Sequence, residues 1–135
     1  MAKYIFPAIF EKEDGYGYNV RFPDVEGCFS CGQSLIEAFE MANDALALML
    51  FDKEETGCII PEPTPIEEIE TVPGEFTSYV SCDTKVYRRS HRTKAIKKTL
   101  SIPEWMNDEA IAARLNFSKI LQEAIAEKLS ELDAI

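Results

Sequence analysis

One short stretch, from Ala95 to Ile102, constrains the fold more than any other part of the 135-residue chain. Within it Ile96, Leu100 and Ile102 alternate with polar or small residues, a pattern typical of a strand with one apolar and one polar face. Pro103 lacks the N–H that a central strand needs but is tolerated at the first position of a helix. We therefore expect the strand to end there.

This strand has no partner in its own segment, because helical patterns follow it to the C-terminus. A lone strand needs another sheet or a second copy of the chain, and we predict the second copy, since an antiparallel pair across a twofold axis closes on itself. Lys97, Thr99 and Ser101 of both copies would then form one polar surface, narrow enough for the major groove of DNA. The alternative is a dimerisation element with a merely solvated polar face.

Lys98 falls on the inward face of the predicted strand, where an apolar residue would be expected. Its stem could lie along the core and its ammonium reach a phosphate, or the strand register could be shifted by one residue.

The C-terminal patterns predict two further helices. Helix A is expected from Pro103 to about Leu115. Asn116, a residue that tolerates a left-handed backbone, follows it, and Ser118 can cap helix B. Free N–H groups from Ser118 onward and the Lys119 side chain are expected to contact phosphate. Apolar residues of the strand and both helices are predicted to form the core of a dimer: Leu100, Ile102, Trp105, Leu121, Ile125 and Leu129.

Charge divides the chain into three parts. Residues 1–83 carry 4 basic and 17 acidic side chains, residues 84–103 carry 7 basic and none acidic, and residues 104–135 carry 3 basic and 7 acidic. The basic part contains the predicted strand, which favours nucleic acid there in spite of a net charge of −10. The acidic first part suggests a cationic partner, although solubility is the better explanation of an acidic surface taken alone.

The first 83 residues predict an α+β layer, in which one helix packs on a small antiparallel sheet. Ser34 and Glu37 form a capping box at the start of this helix, which is expected to run to about Phe51. A loop rich in proline and glutamate follows. Asp83 can cap a short basic helix that leads into a charged linker ending at Lys94. The predicted strands are residues 3–10, with Pro7 marking an edge or an irregularity, and residues 18–22, 28–31 and 75–82.

Cysteine usage and hydropathy exclude several classes of protein. Cys28 and Cys31 have the C-x-x-C spacing, but the chain has no second such pair and only one histidine, His91. On a strand these two thiols would point to opposite faces, so we predict reduced structural cysteines, no metal site and no cofactor. No run approaches the ~18 apolar residues of a membrane span, and we expect a cytoplasmic protein.

Two segments resemble the two domains of one family. Lys97-Lys-Thr-Leu-Ser-Ile-Pro-Glu-Trp-Met-Asn107, with Asn116-Phe-Ser-Lys-Ile-Leu-Gln-Glu-Ala-Ile125, resembles the ribbon-helix-helix repressor domain at the C-terminus of many HicB-type antitoxins. Tyr16-Gly-Tyr-Asn-Val-Arg-Phe-Pro-Asp-Val-Glu-Gly-Cys28, followed by the capped helix, is similar to the HicB N-terminal domain, a shortened relative of the ribonuclease H fold. The resemblance implies a HicB-like toxin-binding domain in residues 1–83, a basic helix and linker in 84–94, and a dimeric ribbon-helix-helix domain in 95–135.

Proteins of the HicB type bind HicA, a small basic toxin that cleaves mRNA, and cover its active site. The resemblance therefore implies a non-enzymatic antitoxin that neutralises such a toxin and represses its own operon by binding operator DNA as a homodimer or a higher oligomer. Exposed groups around the first hairpin and its exit turn are the candidate toxin contacts: Tyr16, Asp24 and Glu26.

Two other functions are compatible with parts of the pattern. A ligand-sensing repressor would have an apolar cavity with a few convergent polar groups in its first domain. A degenerate nuclease would need carboxylates that converge on Mg²⁺ ions, yet the first strand has none between Tyr4 and Phe10. Glu37, Glu40 and Asp44 lie on the helix, where we expect them to form its solvated face.

Overall fold

The chain divides into two compact units in the computed structural model, which describes residues 2–134, and the boundary falls between Lys94 and Ala95. The elements of the first unit are β1 Lys3–Glu13, β2 Gly17–Arg21, β3 Phe29–Gly32, α1 Leu35–Thr56, a short 3-10 helix at Ile66–Glu68, β4 Glu75–Asp83 and α2 Thr84–His91. Those of the second unit are α3 Glu104–Ala112 and α4 Phe117–Asp133. The predicted α+β class with a small antiparallel sheet is confirmed.

The sheet of the first unit has the order β3-β2-β1-β4, and every neighbouring pair is antiparallel. β1 and β2 form the predicted hairpin, and β4 pairs along the other side of β1 from Lys3↔Asp83 to Glu11↔Glu75. Five consecutive residues of β1, from Phe6 to Phe10, are buried, and the alternate ones Phe6, Ala8 and Phe10 belong to the core on the face that α1 covers. The largest buried members of this core are Phe6, Phe10, Val20, Phe22, Val25, Leu46, Leu50 and Val80.

The start of α1 is held by side chains close to it in sequence. The Ser34 hydroxyl accepts from the Glu37 N–H at 3.1 Å, as the capping box predicts. The Glu37 carboxylate, however, accepts from the N–H of Gln33 rather than from that of Ser34. Gly32, immediately before, lies so close to α1 that a Cβ there would be 2.6 Å from the Cα of Ala38.

α1 ends at Thr56, five residues beyond the predicted end at Phe51. The last five residues are polar, so the apolar period that predicted the helix stops before the helix does. The backbone stop is Gly57, whose φ of 72° is left-handed and whose N–H contacts the Glu54 and Lys53 carbonyls. A C-terminal glycine is therefore a better marker of this boundary than hydrophobicity.

α2 packs against α1. The Tyr87 and Phe51 rings lie 5.3 Å apart, and Glu55 forms ion pairs with Arg88 and Arg92. The Asp83 carboxylate caps α2 by accepting from the N–H groups of Lys85 and Val86, as predicted. This helix belongs to the first unit.

Pro7 lies within β1, a strand with neighbours on both sides, and not on an outer strand of the sheet. Pairing with β2 stops at Ile9↔Arg21, two residues short of Pro7, so β1 is locally unpaired on that side and tolerates a residue without an N–H.

The loop between α1 and β4 is anchored on the first unit by side chains. The Asp24 carboxylate accepts from the N–H and hydroxyl of Thr64, and the Ile66 N–H lies 3.4 Å from the Tyr79 hydroxyl.

The turn between α3 and α4 corrects three predictions: the end of the first helix, the left-handed residue and the cap of the second helix. α3 ends at Ala112, and the left-handed residue is Arg114, with a φ of 56°, not Asn116. The N–H groups of Arg114 and Leu115 reach back to the Ile111 and Ala110 carbonyls, the pattern of a Schellman motif. Asn116 is instead the N-cap of α4, since its side chain accepts from Lys119 N–H at 3.0 Å, and Ser118 lies inside the helix.

Residues 92–103 have no regular secondary structure in the single chain. A strand is defined by the hydrogen bonds to its partner, and the predicted partner of residues 95–102 is a second copy. The ribbon stays a prediction.

In the part of the chain from residue 2 to 134, no helix is long and apolar enough to cross a membrane.

Candidate functional site

The predicted DNA-reading residues Lys97, Lys98, Thr99 and Ser101 are all exposed to solvent. Around them Ile96 and two other apolar residues of the stretch are also exposed, so neither face of the predicted strand is covered within one chain. A strand with an uncovered apolar face needs a partner that buries it.

The start of α4 offers fewer free N–H groups than predicted. Lys119 N–H is taken by the Asn116 side chain, and Ile120 N–H is taken by the Asn116 carbonyl. The N–H groups of Phe117 and Ser118 precede these and belong to the first helical turn, where an anion contact is favourable. The Lys119 side chain is exposed, so its predicted role as a phosphate contact is unaffected.

The second unit has no core of its own. Between Ala95 and Ala134 not one residue is fully buried. A groove of about 590 Å³ brings together Leu100, Ile102 and Leu121, three of the six predicted dimer residues, with Met106 and Phe117 beside them. The other three are exposed on the same unit: Trp105 by 62%, Ile125 by 50% and Leu129 by 48%.

The predicted toxin contacts do not form one patch. Tyr16 lies in the turn before β2 and is 75% exposed, whereas Asp24 and Glu26 follow the end of β2. Five strand residues at about 3.3 Å each separate the two places. Asp24 is also occupied, because its carboxylate holds Thr64 at 2.9 and 2.5 Å.

A polar cluster joins the start of β1, α1 and the start of α2. The Tyr4 hydroxyl donates to Glu54 at 2.7 Å, and the buried Thr84 hydroxyl lies 3.0 Å from the same carboxylate oxygen. The hydrogen bond to Glu54, and burial after it, raises the pKa of Tyr4 to about 12. Burial alone would raise the pKa of Glu54, but hydrogen bonds, among them those from Tyr4 and Thr84, and a nearby positive charge together outweigh it and lower that pKa. The cluster ties three elements together, and we assign it a structural role.

The cysteines are all free thiols. Burial raises the pKa of Cys28 to about 11 and, with the nearby Asp83 and Glu54 carboxylates, that of Cys82 to about 12, which makes both thiols unreactive. Cys31 and Cys58 are exposed. Among residues 2–134 no three His, Cys, Asp or Glu side chains are grouped as a metal site would require.

An open cavity of about 490 Å³ lies between α1, α2 and the end of β4. Seven of its eleven lining residues are polar or charged, among them Asp44, Asp83 and His91. The His91 ring stacks on that of Tyr87 at 3.9 Å, and its Nδ1 is within 2.9 Å of the Tyr87 carbonyl. The ligand-sensing alternative calls for an apolar cavity with a few convergent polar groups, and this open cavity is lined by residues of both kinds, so the alternative stays untested.

Known proteins resemble the chain over most of its length. Residues 6–126 match the family described as HicB_like antitoxin of bacterial toxin-antitoxin system. A protein of Haemophilus phage HP1, described as an uncharacterized 14.9 kDa protein in the rep-hol intergenic region, is 34% identical over 103 residues, which are 73% of each chain.

Solved structures agree with the fold. A chain of a toxin-antitoxin complex from Streptococcus pneumoniae superposes with a TM-score of 0.63 and 29% identity, over 93% of this chain and 99% of that one. The Burkholderia pseudomallei antitoxin HicB gives a TM-score of 0.54 at 24% identity, over 93% and 98% of the two chains. The match of the family over residues 6–126 spans both units, and the chain therefore belongs to the HicB-like antitoxin family of bacterial toxin-antitoxin systems.

Proposed function

We propose that this antitoxin binds and occludes a HicA-type mRNA-cleaving toxin through its first unit, and represses its own operon by holding operator DNA through a dimeric second unit. The observation that carries the DNA-binding half is the second unit itself. It has two helices, an apolar groove and no buried residue among residues 95–134, so it needs a second copy to form a core. The polar side chains Lys97, Thr99 and Ser101 alternate with the apolar residues that such a core would bury.

The toxin-binding half is supported by membership of the family and by charge. Residues 1–83 carry 17 acidic and 4 basic side chains, a surface that attracts and orients a basic partner. The similar chain from Streptococcus pneumoniae comes from a toxin-antitoxin complex. We propose that the antitoxin acts without catalysis, by covering the toxin's active site.

Copurification tests the toxin-binding half. The full chain is tagged and expressed from its own operon, the lysate is treated with nuclease, and proteins retained with it are identified by mass. We expect a stoichiometric small basic protein encoded by the neighbouring gene. A dimer that carries no such companion, although the neighbouring gene is expressed, would contradict the toxin-binding half and favour a ligand-sensing repressor.

The Lys97→Ala variant tests the ribbon. Binding to the promoter DNA upstream of the operon is measured by fluorescence anisotropy over a range of salt concentrations. We expect affinity to fall at least about tenfold and the salt dependence to become shallower, because each dimer loses two cations at the DNA. The control is Lys128→Ala, which removes the same charge near the C-terminal end of α4, where Lys128 pairs with Glu131. This variant is expected to bind DNA like wild type. A salt dependence that is unchanged in Lys97→Ala would exclude this lysine from the interface.

A further inference from the structure

The solvent-facing side of α1 is both apolar and acidic. Met41 and Leu48 are 45% and 48% exposed, and they lie seven residues apart, which is close to two helical turns. They therefore share one side of the helix, away from its buried residues Ala38, Ala42, Leu46, Ala47 and Leu50. Half-exposed apolar side chains on a rigid helix bury apolar area when a partner docks on them, and Met is among the residues enriched in protein interfaces.

Carboxylates border these two side chains. Glu40, Asp44 and Asp52 are exposed, and within residues 2–134 none of the three carboxylates forms an ion pair or a hydrogen bond. Glu55, further along the same helix, is already paired with Arg88 and Arg92. The charge of the three unpaired carboxylates is thus available to a partner, and it can only attract a cationic one.

We propose that this face of α1, formed by Glu40, Met41, Asp44, Leu48 and Asp52 and here called the α1 ridge, is the surface on which the basic toxin docks. The inference rests on the proposed function and assigns its toxin-binding surface. The two apolar residues bury area against the toxin, while the three carboxylates steer it and fix its orientation.

Other surfaces of the first unit meet these conditions less well. On the face of the sheet opposite α1, Ile5 and Phe29 are exposed, but the nearby Arg21 and Glu75 neutralise each other at 2.8 Å. At the exit turn of the hairpin, Asp24 is bound to Thr64. Tyr16 is well exposed, but it lies in a turn and not on a helix or strand that would hold it rigidly.

Three matched substitutions distinguish the surfaces. Leu48→Lys, Tyr16→Lys and Ile59→Lys each replace an exposed large side chain by the same cation in the first unit. Ile59 is 89% exposed in the loop after α1 and serves as the control. The partner is the small basic protein encoded next to the antitoxin, separated from the complex in denaturant and refolded. Binding to the full-length antitoxin is measured by titration calorimetry, and the fold of each variant is checked by circular dichroism.

We expect Leu48→Lys to weaken binding by about 30-fold or more, the effect of losing an interface anchor, while Tyr16→Lys and Ile59→Lys stay within about threefold of wild type. Wild-type affinity in Leu48→Lys, or a larger loss in Tyr16→Lys, would overturn the α1 ridge and leave the antitoxin function intact. If the wild-type chain itself does not bind the neighbouring protein, the proposed function and the ridge fail together.

A second pair of variants preserves the apolar residues and guards against a folding defect in Leu48→Lys. Glu40→Gln/Asp44→Asn removes two charges from the ridge, and Glu67→Gln/Glu68→Gln removes two from the loop. We expect the ridge variant to associate about tenfold more slowly at low salt and the loop variant to associate at nearly the wild-type rate. Equal effects of the two pairs would mean that only net charge matters, which would overturn the assignment to the ridge.

Discussion

Gly32→Ala is expected to destabilise the first unit by more than about 3 kcal/mol, at the upper end of what overpacking costs, because the added methyl group has no room. A Cβ at this position would overlap the N and Cα atoms of Ala38 in the first turns of α1, and both are backbone atoms that cannot rotate away. Relief of this steric overlap would require β3 to move away from α1. The loss is measured as faster amide hydrogen exchange, resolved by peptide, in β3 and α1.

Gly15→Ala is the matched control. Gly15 has a φ of 80°, and a Cβ added there would have nothing within 4 Å, so its cost is conformational and not steric, about 1 kcal/mol. Gly32 is not in the left-handed region, so its cost is steric. Similar exchange rates in the two variants would show that α1 and β3 can move apart at little cost.

Local signals predicted the elements of the first unit well. The Ser34 cap and the Asp83 cap each depend on residues within a few positions of one another, and both are confirmed. The local signals gave the wrong end for α1, because its apolar residues stop recurring before the helix itself ends. α1 continues through five polar residues to Gly57, because its backbone hydrogen bonds and its glycine cap do not depend on hydrophobicity.

The grouping of candidate site residues was harder to predict. Tyr16, Asp24 and Glu26 are close in sequence, but a strand between them extends the chain and separates them. Met41 and Leu48 were missed because they fall outside the apolar stripe that marks the buried side of α1. A large apolar residue on the polar side of an amphipathic helix is the available signal for such a surface, and it shows only once the buried side has been assigned.

The same limit applies to the turn before α4. Asn116 and Ser118 are both good caps, and Asn is also tolerated in the left-handed region, so the sequence allows several alignments. The structure places the left-handed φ on Arg114, which has no such preference, because the Schellman hydrogen bonds at the end of α3 require it there. At Arg114 the hydrogen bonds that end α3 therefore outweigh the preference of individual residue types for the left-handed region.

Leu121→Glu is expected to abolish dimer formation by the second unit and to reduce binding to promoter DNA by more than about 100-fold, the cost of placing an unpaired carboxylate in an apolar interface. Leu121 lines the groove together with Leu100 and Ile102, so its side chain would meet the second copy where no water remains to solvate a charge. Without the dimer the proposed ribbon would lose its second strand. Neither its polar face nor its register on DNA would then exist.

Gln122→Glu adds the same charge at the neighbouring position of α4, which is exposed and does not line the groove. It should remain dimeric and lose little DNA affinity, so that a difference between the two variants reports burial and not charge. Mass is measured by analytical ultracentrifugation and DNA binding by anisotropy. If Leu121→Glu still binds promoter DNA like wild type, the groove is not a dimer interface. If the variant no longer binds DNA but the chain remains dimeric, a contact outside the groove joins the two copies, and pairing of the two second units is needed only to form the ribbon.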